Sequence, residues 1–181
     1  MTGCADMAKL TPHGRVPNGE GFGGFVRLDP MEVAGALGMG GLDARAYWWG
    51  MLKWAGDHAM LGRITRVMET YAYHASVACG KNPSDEQVVG LATLGILMGL
   101  HDEVCDRCNG SGQVAADTCG KCGGARRIPM SGRRKAEIAG IPRETWREGR
   151  WDEVAATLNR VTVDWDTAVD KHLRRYLKHD C

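Results

Sequence analysis

Cys105-Asp106-Arg107-Cys108-Asn109-Gly110-Ser111-Gly112, followed by Cys119-Gly120-Lys121-Cys122-Gly123-Gly124, is the stretch that decides how this chain folds. Two C-x-x-C knuckles stand ten residues apart. Thiolates two residues apart close on one metal only where the backbone turns sharply, and glycine reaches positive φ without steric cost. Cys105, Cys108, Cys119 and Cys122 together supply the soft, tetrahedral ligand set of a structural Zn²⁺ site, with Zn–S bonds of about 2.3 Å. Four protein ligands leave no open coordination position, so such a zinc builds a surface rather than doing chemistry. The competing use of C-x-x-C is a redox pair or a disulfide. No thioredoxin-like βαβ pattern surrounds these residues. Met1-Thr2-Gly3-Cys4-Ala5-Asp6 also lacks the basic start and apolar core of a secretory leader. A cytoplasmic, reducing setting is therefore expected, and it favours thiolates. His101 is expected to be a bystander; Cys4, Cys79 and Cys181 read as one buried thiol and two terminal ones.

Upstream of the first knuckle the pattern is helical. Ser84-Asp85-Glu86-Gln87 is a capping box. It opens an apolar run, Val88 to Leu100, that is too short to cross a bilayer and reads as a buried helix. An earlier helix carries Ile64, Val67, Met68, Tyr71 and Ala75 at spacings of three and four. Asp43 caps another, with Tyr47, Trp48, Met51, Leu52 and Trp54. Asp29-Pro30-Met31-Glu32 begins the first, with proline at its first helical position. Trp48 and Trp49 are adjacent and cannot share a face, so one of the two is an exposed candidate for a partner contact. Residues 1–29 are rich in Gly and Pro. Gly19 to Gly24 formally fits G-x-G-x-x-G, but no strand precedes it, so it reads as a flexible arm and not a dinucleotide loop.

Downstream, strands are expected only in the zinc ribbon, near 113–115 and 126–128. Arg134 to Arg147 then reads as a helix-turn-helix. Ala136 is the small residue where two helices touch, Gly140 the turn, Ile141 the plug and Trp146 the anchor. Arg143, Glu144 and Arg147 point outward and are the candidate readers of base edges. Arg126, Arg127, Arg133, Arg134, Lys135 and Arg150 are candidate contacts to the DNA backbone. The next core position falls at Gly149, so the second helix is expected to be short or to restart at Trp151. Val154, Leu158 and Val161 extend a stripe beyond it. A last amphipathic helix is expected from Asp166 to Lys178, with Val169, Leu173, Tyr176 and Leu177 inward.

At 181 residues, 44% hydrophobic and 25% charged, the chain is globular and long enough to bury a core. Its net charge of +1 hides an uneven distribution. Residues 105–151 hold 10 basic and 5 acidic side chains, against 8 and 11 in residues 1–104. A local basic patch on a near-neutral protein is the electrostatic footprint of a nucleic-acid contact. No Walker A, H-E-x-x-H or G-x-S-x-G motif is present, and no enzymatic role is expected.

Cys105-x-x-Cys108-x-Gly110-x-Gly112, Cys119-Gly120-x-Cys122-x-Gly124, Arg127-Ile128-Pro129-Met130, and Ile141-Pro142 with Thr145-Trp146 together resemble the zinc-binding Q antitermination proteins of lambdoid phages. The resemblance covers roughly residues 85–178. It implies a sequence-specific binder of double-stranded DNA in a bacterial host cell. Such a protein loads onto host RNA polymerase paused with its sigma factor near a promoter and makes the enzyme ignore terminators. A zinc-ribbon activator or repressor without antitermination is the alternative. The zinc module of J-domain chaperones uses similar knuckles, but repeats them four times beside a His-Pro-Asp tripeptide that this chain lacks. Neither a membrane nor a small-molecule substrate is expected as a partner. The fold expected is mainly α: a helical domain with an inserted Cys4 zinc ribbon or knuckle and a helix-turn-helix. Its parts are an arm (1–29), a helical region (30–104), the zinc insert (105–130), and the helix-turn-helix with C-terminal helices (131–181).

Overall fold

The computed structural model describes residues 29–100, 105, 107–108, 111–115, 117–122, 128 and 130–177. All of the Gly/Pro-rich arm but Asp29, and His101, Arg126, Arg127, Cys4 and Cys181, lie outside them. Local signals start most of the helices. The Asp29 carboxylate accepts the Met31 N–H at 2.8 Å while Glu32 reaches back to the Asp29 N–H, and α1 (Pro30–Gly38) follows. Asp43 caps α2 (Ala44–Lys53) through the Arg45 N–H. After a 3-10 turn at 58–60 comes α3 (Leu61–Ala78). Ser84 and Gln87 exchange hydrogen bonds at the start of α4 (Asp85–Leu100), the reciprocal box legible in the sequence.

A two-residue antiparallel ladder, β1 (Gln113–Val114) with β2 (Asp117–Thr118), lies between the knuckles. Strands were expected near 113–115 and 126–128. The first forms, and Val114 faces Asp117 across a tight hairpin with Ala115 at φ 57° in its turn. Arg126 and Arg127 lie outside the described residues, and Ile128 is in no strand.

Three more helices complete the chain: α5 (Gly132–Ile138), α6 (Arg143–Glu148) and α7 (Trp151–Tyr176). The expected helix beginning at Asp166 is not a separate element. Residues 151–176 form one 26-residue helix, because Trp151, Val154, Leu158, Thr162, Trp165, Val169 and Leu173 keep an unbroken spacing of three and four and are all buried. Thr162 takes the inward position and leaves Val161 half-buried. At the far end His172 is buried, its Nε2 2.9 Å from the Ala36 carbonyl, while Tyr176, expected inward, is exposed.

This long helix packs against α1, α2, α3, α4 and α6. Buried residues between Val33 and Leu173 thus share one hydrophobic core, to which the described helices on both sides of the cysteine segment contribute. α4 lies deep in it. A Cβ on its Gly99 would sit 2.7 Å from the Trp49 ring, so the glycine makes room for that indole. The Trp49 Nε1–H donates to Asp166 of α7 at 2.7 Å, and the buried Lys53 ammonium donates to the same carboxylate at 2.6 Å. No described helix is long and apolar enough to cross a membrane.

Candidate functional site

The sulfurs of Cys105, Cys108, Cys119 and Cys122 converge. Cys105 and Cys119 lie 3.8 Å apart, Cys108 and Cys122 3.7 Å, and all four fall within 4.8 Å of one another. In a tetrahedron whose corners stand about 2.3 Å from a central metal, each edge is about 3.8 Å. The four thiols are buried and form no disulfide. Backbone bonds bring the knuckles to this geometry: the Ser111 N–H donates to the Cys108 carbonyl, and the Cys119 N–H to the Gly112 carbonyl, both at 2.9 Å. Gly112 is held at φ 81°, where a side chain would be strained. The Cys122 backbone N–H holds the Cys119 thiol below its usual pKa, against the opposing effect of burial, with the Lys121 N–H adding to the lowering. Donors aimed at that sulfur favour the thiolate, the form a metal binds. This quartet could hold one metal ion. Ile128 packs against the cluster, which is separate from the main helical core.

Beyond the cysteines, α5 and α6 form a tight pair. Ser131 caps α5 by accepting the Arg134 N–H at 3.3 Å. The helix ends as its composition dictates. Gly140, at φ 64°, lets its own N–H reach the Glu137 carbonyl, and the Ile141 N–H reaches that of Ala136 at 3.0 Å. Ile141, Ala136 and Ala139 are buried, and Trp146 anchors α6 in the core. A feature not read from the sequence seats this turn: a Cβ on Gly90 of α4 would lie 2.6 Å from the Ala139 carbonyl oxygen. Only a glycine there lets α4 run so close under the turn. α6 stops at Glu148. A Cβ on Gly149 would collide with the Trp151 indole at 2.7 Å, and Arg150 takes a left-handed φ of 54° before α7 starts.

The pair leaves Arg143, Glu144 and Arg147 exposed on α6 and Arg133 and Arg134 exposed on α5. Carboxylates accompany two of these four arginines, and also the nearby Arg150 and Lys135. Arg134 pairs with Glu137 at 3.0 Å, Arg147 with Glu148 at 3.8 Å, and Arg150 with Glu153. Lys135, half-covered, pairs with Asp152 at 3.0 Å. Arg133 and Arg143 have no ion pair among the described residues. The acid near the start of α7 was visible in the sequence, but nothing in its spacing announced that Asp152 reaches both Lys135 and the Trp146 indole.

The two tryptophans of α2 part company. Trp49 is fully buried, which removes it as a partner contact. Its indole is held by Asp166 and fills the space beside Gly99. Trp48 is half-buried, with the Arg63 guanidinium 5.3 Å from its ring, so a surface role for this pair falls to Trp48 alone. No protein family, curated protein or solved structure matches this chain.

Proposed function

We propose that this protein is a zinc-stabilised, sequence-specific binder of double-stranded DNA that acts as a transcription antiterminator. On this reading it joins RNA polymerase paused with its sigma factor near a promoter and carries the enzyme through downstream terminators. The observation that carries the DNA-binding half is the α5–turn–α6 unit. A glycine-centred turn is locked onto α4, a buried Trp146 fixes the second helix, and Arg143, Glu144 and Arg147 are turned to solvent. A short helix presented this way offers its N-terminal side chains to a major groove, as helix-turn-helix proteins do. The antitermination half rests on the motif resemblance over residues 85–178 and on a separate helical face bearing Trp48.

For the metal, four buried thiols at tetrahedral spacing support Zn²⁺. When bound it would clamp the two knuckles together and supply folding energy to the segment, with no role in bond chemistry. Elemental analysis is expected to give one zinc per chain, lost when any of the four cysteines becomes Ser.

Selection of duplexes from a random pool, followed by in vitro transcription on a template carrying the selected site, tests the rest. Arg143→Ala and Arg147→Ala are each expected to relax specificity by about 1–3 kcal/mol. Should both leave specific binding untouched, α6 is not the reading element. Tight binding with unchanged pausing and terminator readthrough would leave a plain DNA-binding regulator.

A further inference from the structure

Three helices meet at Asp152. One carboxylate oxygen accepts the Lys135 ammonium of α5 at 3.0 Å, and the other accepts the Trp146 Nε1–H of α6 at 3.1 Å. Asp152 itself stands in the first turn of α7, the helix that packs against the rest of the core. The other ion pairs of the basic face are local. Arg134–Glu137 and Arg150–Glu153 are three residues apart, Arg147–Glu148 are neighbours, and all are well exposed. Such pairs exchange readily for solvent or phosphate. Lys135–Asp152 is different: it spans seventeen residues, and its carboxylate is tied at the same time to a buried indole. The lysine side chain keeps only 22% of its surface exposed.

We propose, resting on the DNA-binding reading above, that Asp152 is the positioning and specificity-determining residue of this face. Through Trp146 it sets the pose of α6. Through Lys135 it withholds one cation from DNA phosphates. Sequence-independent affinity grows with the number of phosphates that Lys and Arg neutralise, whereas discrimination is a difference between affinities. Holding Lys135 back lowers the first without touching the base-reading positions Arg143 and Arg147. On this proposal Lys135, which the sequence offered as a backbone contact, is held back from the DNA.

The test uses the full-length, zinc-loaded protein and salt titrations of binding to its selected duplex and to a random-sequence duplex. Asp152→Asn keeps an oxygen for the Trp146 N–H but removes the charge that holds Lys135. Its binding to random duplex is expected to become steeper in log salt by about 0.9, roughly threefold more affinity lost between about 50 and 200 mM. The ratio of specific to random binding should fall. Adding Lys135→Met to Asp152→Asn should restore the wild-type slope, which a general loosening of the fold would not do. An unchanged slope in Asp152→Asn, or a double variant as steep as Asp152→Asn alone, overturns the proposal. If the wild type binds no duplex at all, the DNA-binding reading fails on its own account. The restraint on Lys135 is then judged by its acetylation with N-hydroxysuccinimidyl acetate, read by mass spectrometry. Faster labelling in Asp152→Asn than in wild type upholds the restraint, and equal rates overturn it.

Discussion

Trp49 and Trp48 differ by one position and by their whole energetic role. Trp49 is buried against Gly99, Trp165 and Asp166, so Trp49→Ala opens a large cavity and strands a carboxylate hydrogen bond. A cost of about 3–5 kcal/mol is expected in urea unfolding. Trp48→Ala loses a half-exposed ring and a cation–π contact with Arg63, and is expected to cost about 1 kcal/mol. A loss for Trp48→Ala as large as that for Trp49→Ala would contradict the burial described. On the proposed function, Trp48→Ala is also the variant in which DNA binding survives while readthrough falls. Asp43 offers a titration test at the same scale. Its hydrogen bond from the Arg45 side chain, the largest cause, holds its carboxyl below the usual value, with burial opposing and the Arg45 and Ala46 N–H groups assisting. A lowered folded pKa means that the cap stabilises fully above the unfolded value of about 3.9 and is lost as pH falls through the lower folded one. Asp43→Ala loses the cap and should be less stable than wild type by about 1 kcal/mol at neutral pH, the exposed pair with Arg45 adding little. The two stability curves should converge in acid. A gap that persists at low pH would show that the carboxylate is not its source.

At the scale of elements, the turn between α5 and α6 depends on two glycines for different reasons. Gly140 has open space around its missing side chain but a φ of 64°. Gly140→Ala is expected to cost about 1–2 kcal/mol, and Gly140→Asn to recover part of it, since Asn tolerates the left-handed region. Gly90 has an ordinary helical backbone but lies under the Ala139 carbonyl at 2.6 Å from any added Cβ. Gly90→Ala must push the turn off α4, at about 1–3 kcal/mol, and Gly90→Asn should do no better. Thermal melts of the four variants separate the two mechanisms. Equal rescue by Asn at both positions would mean that close packing on α4 is not what constrains Gly90.

On the scale of the whole molecule there are two cores. The helical one runs from Val33 to Leu173, and the four cysteines with Ile128 form the other; among the described residues they share no member. On the proposed zinc binding, stripping the metal with a chelator should therefore free the four thiols to react while leaving the far-ultraviolet helical signal nearly intact. Loss of helicity together with the metal would show that the cysteine cluster supports the helical body, and the separation would be wrong.

What the chain determines by itself is local. Asp29, Asp43 and Ser84 with Gln87 start helices because a side-chain oxygen can meet N–H groups two or three residues away. The cysteine spacing and its glycines bring four sulfurs together because a knuckle is closed within a few bonds. Gly140 ends α5 for the same short-range reason. Tertiary structure alone decided the rest. Which tryptophan is buried depends on Gly99 of another helix. That Asp166 sits in mid-helix and turns its carboxylate to Trp49 and Lys53 of α2, rather than opening a new helix, is likewise a matter of packing. The pairing of β1 with 117–118 was not legible in the spacing, because two exposed residues with nothing to bury leave no alternating pattern. Lys135 meets Asp152 only because α6 packs on α7 and brings the first turn of α7 within reach of α5. Contacts between residues far apart in the chain carry no spacing signal, since their geometry is set by how whole helices pack.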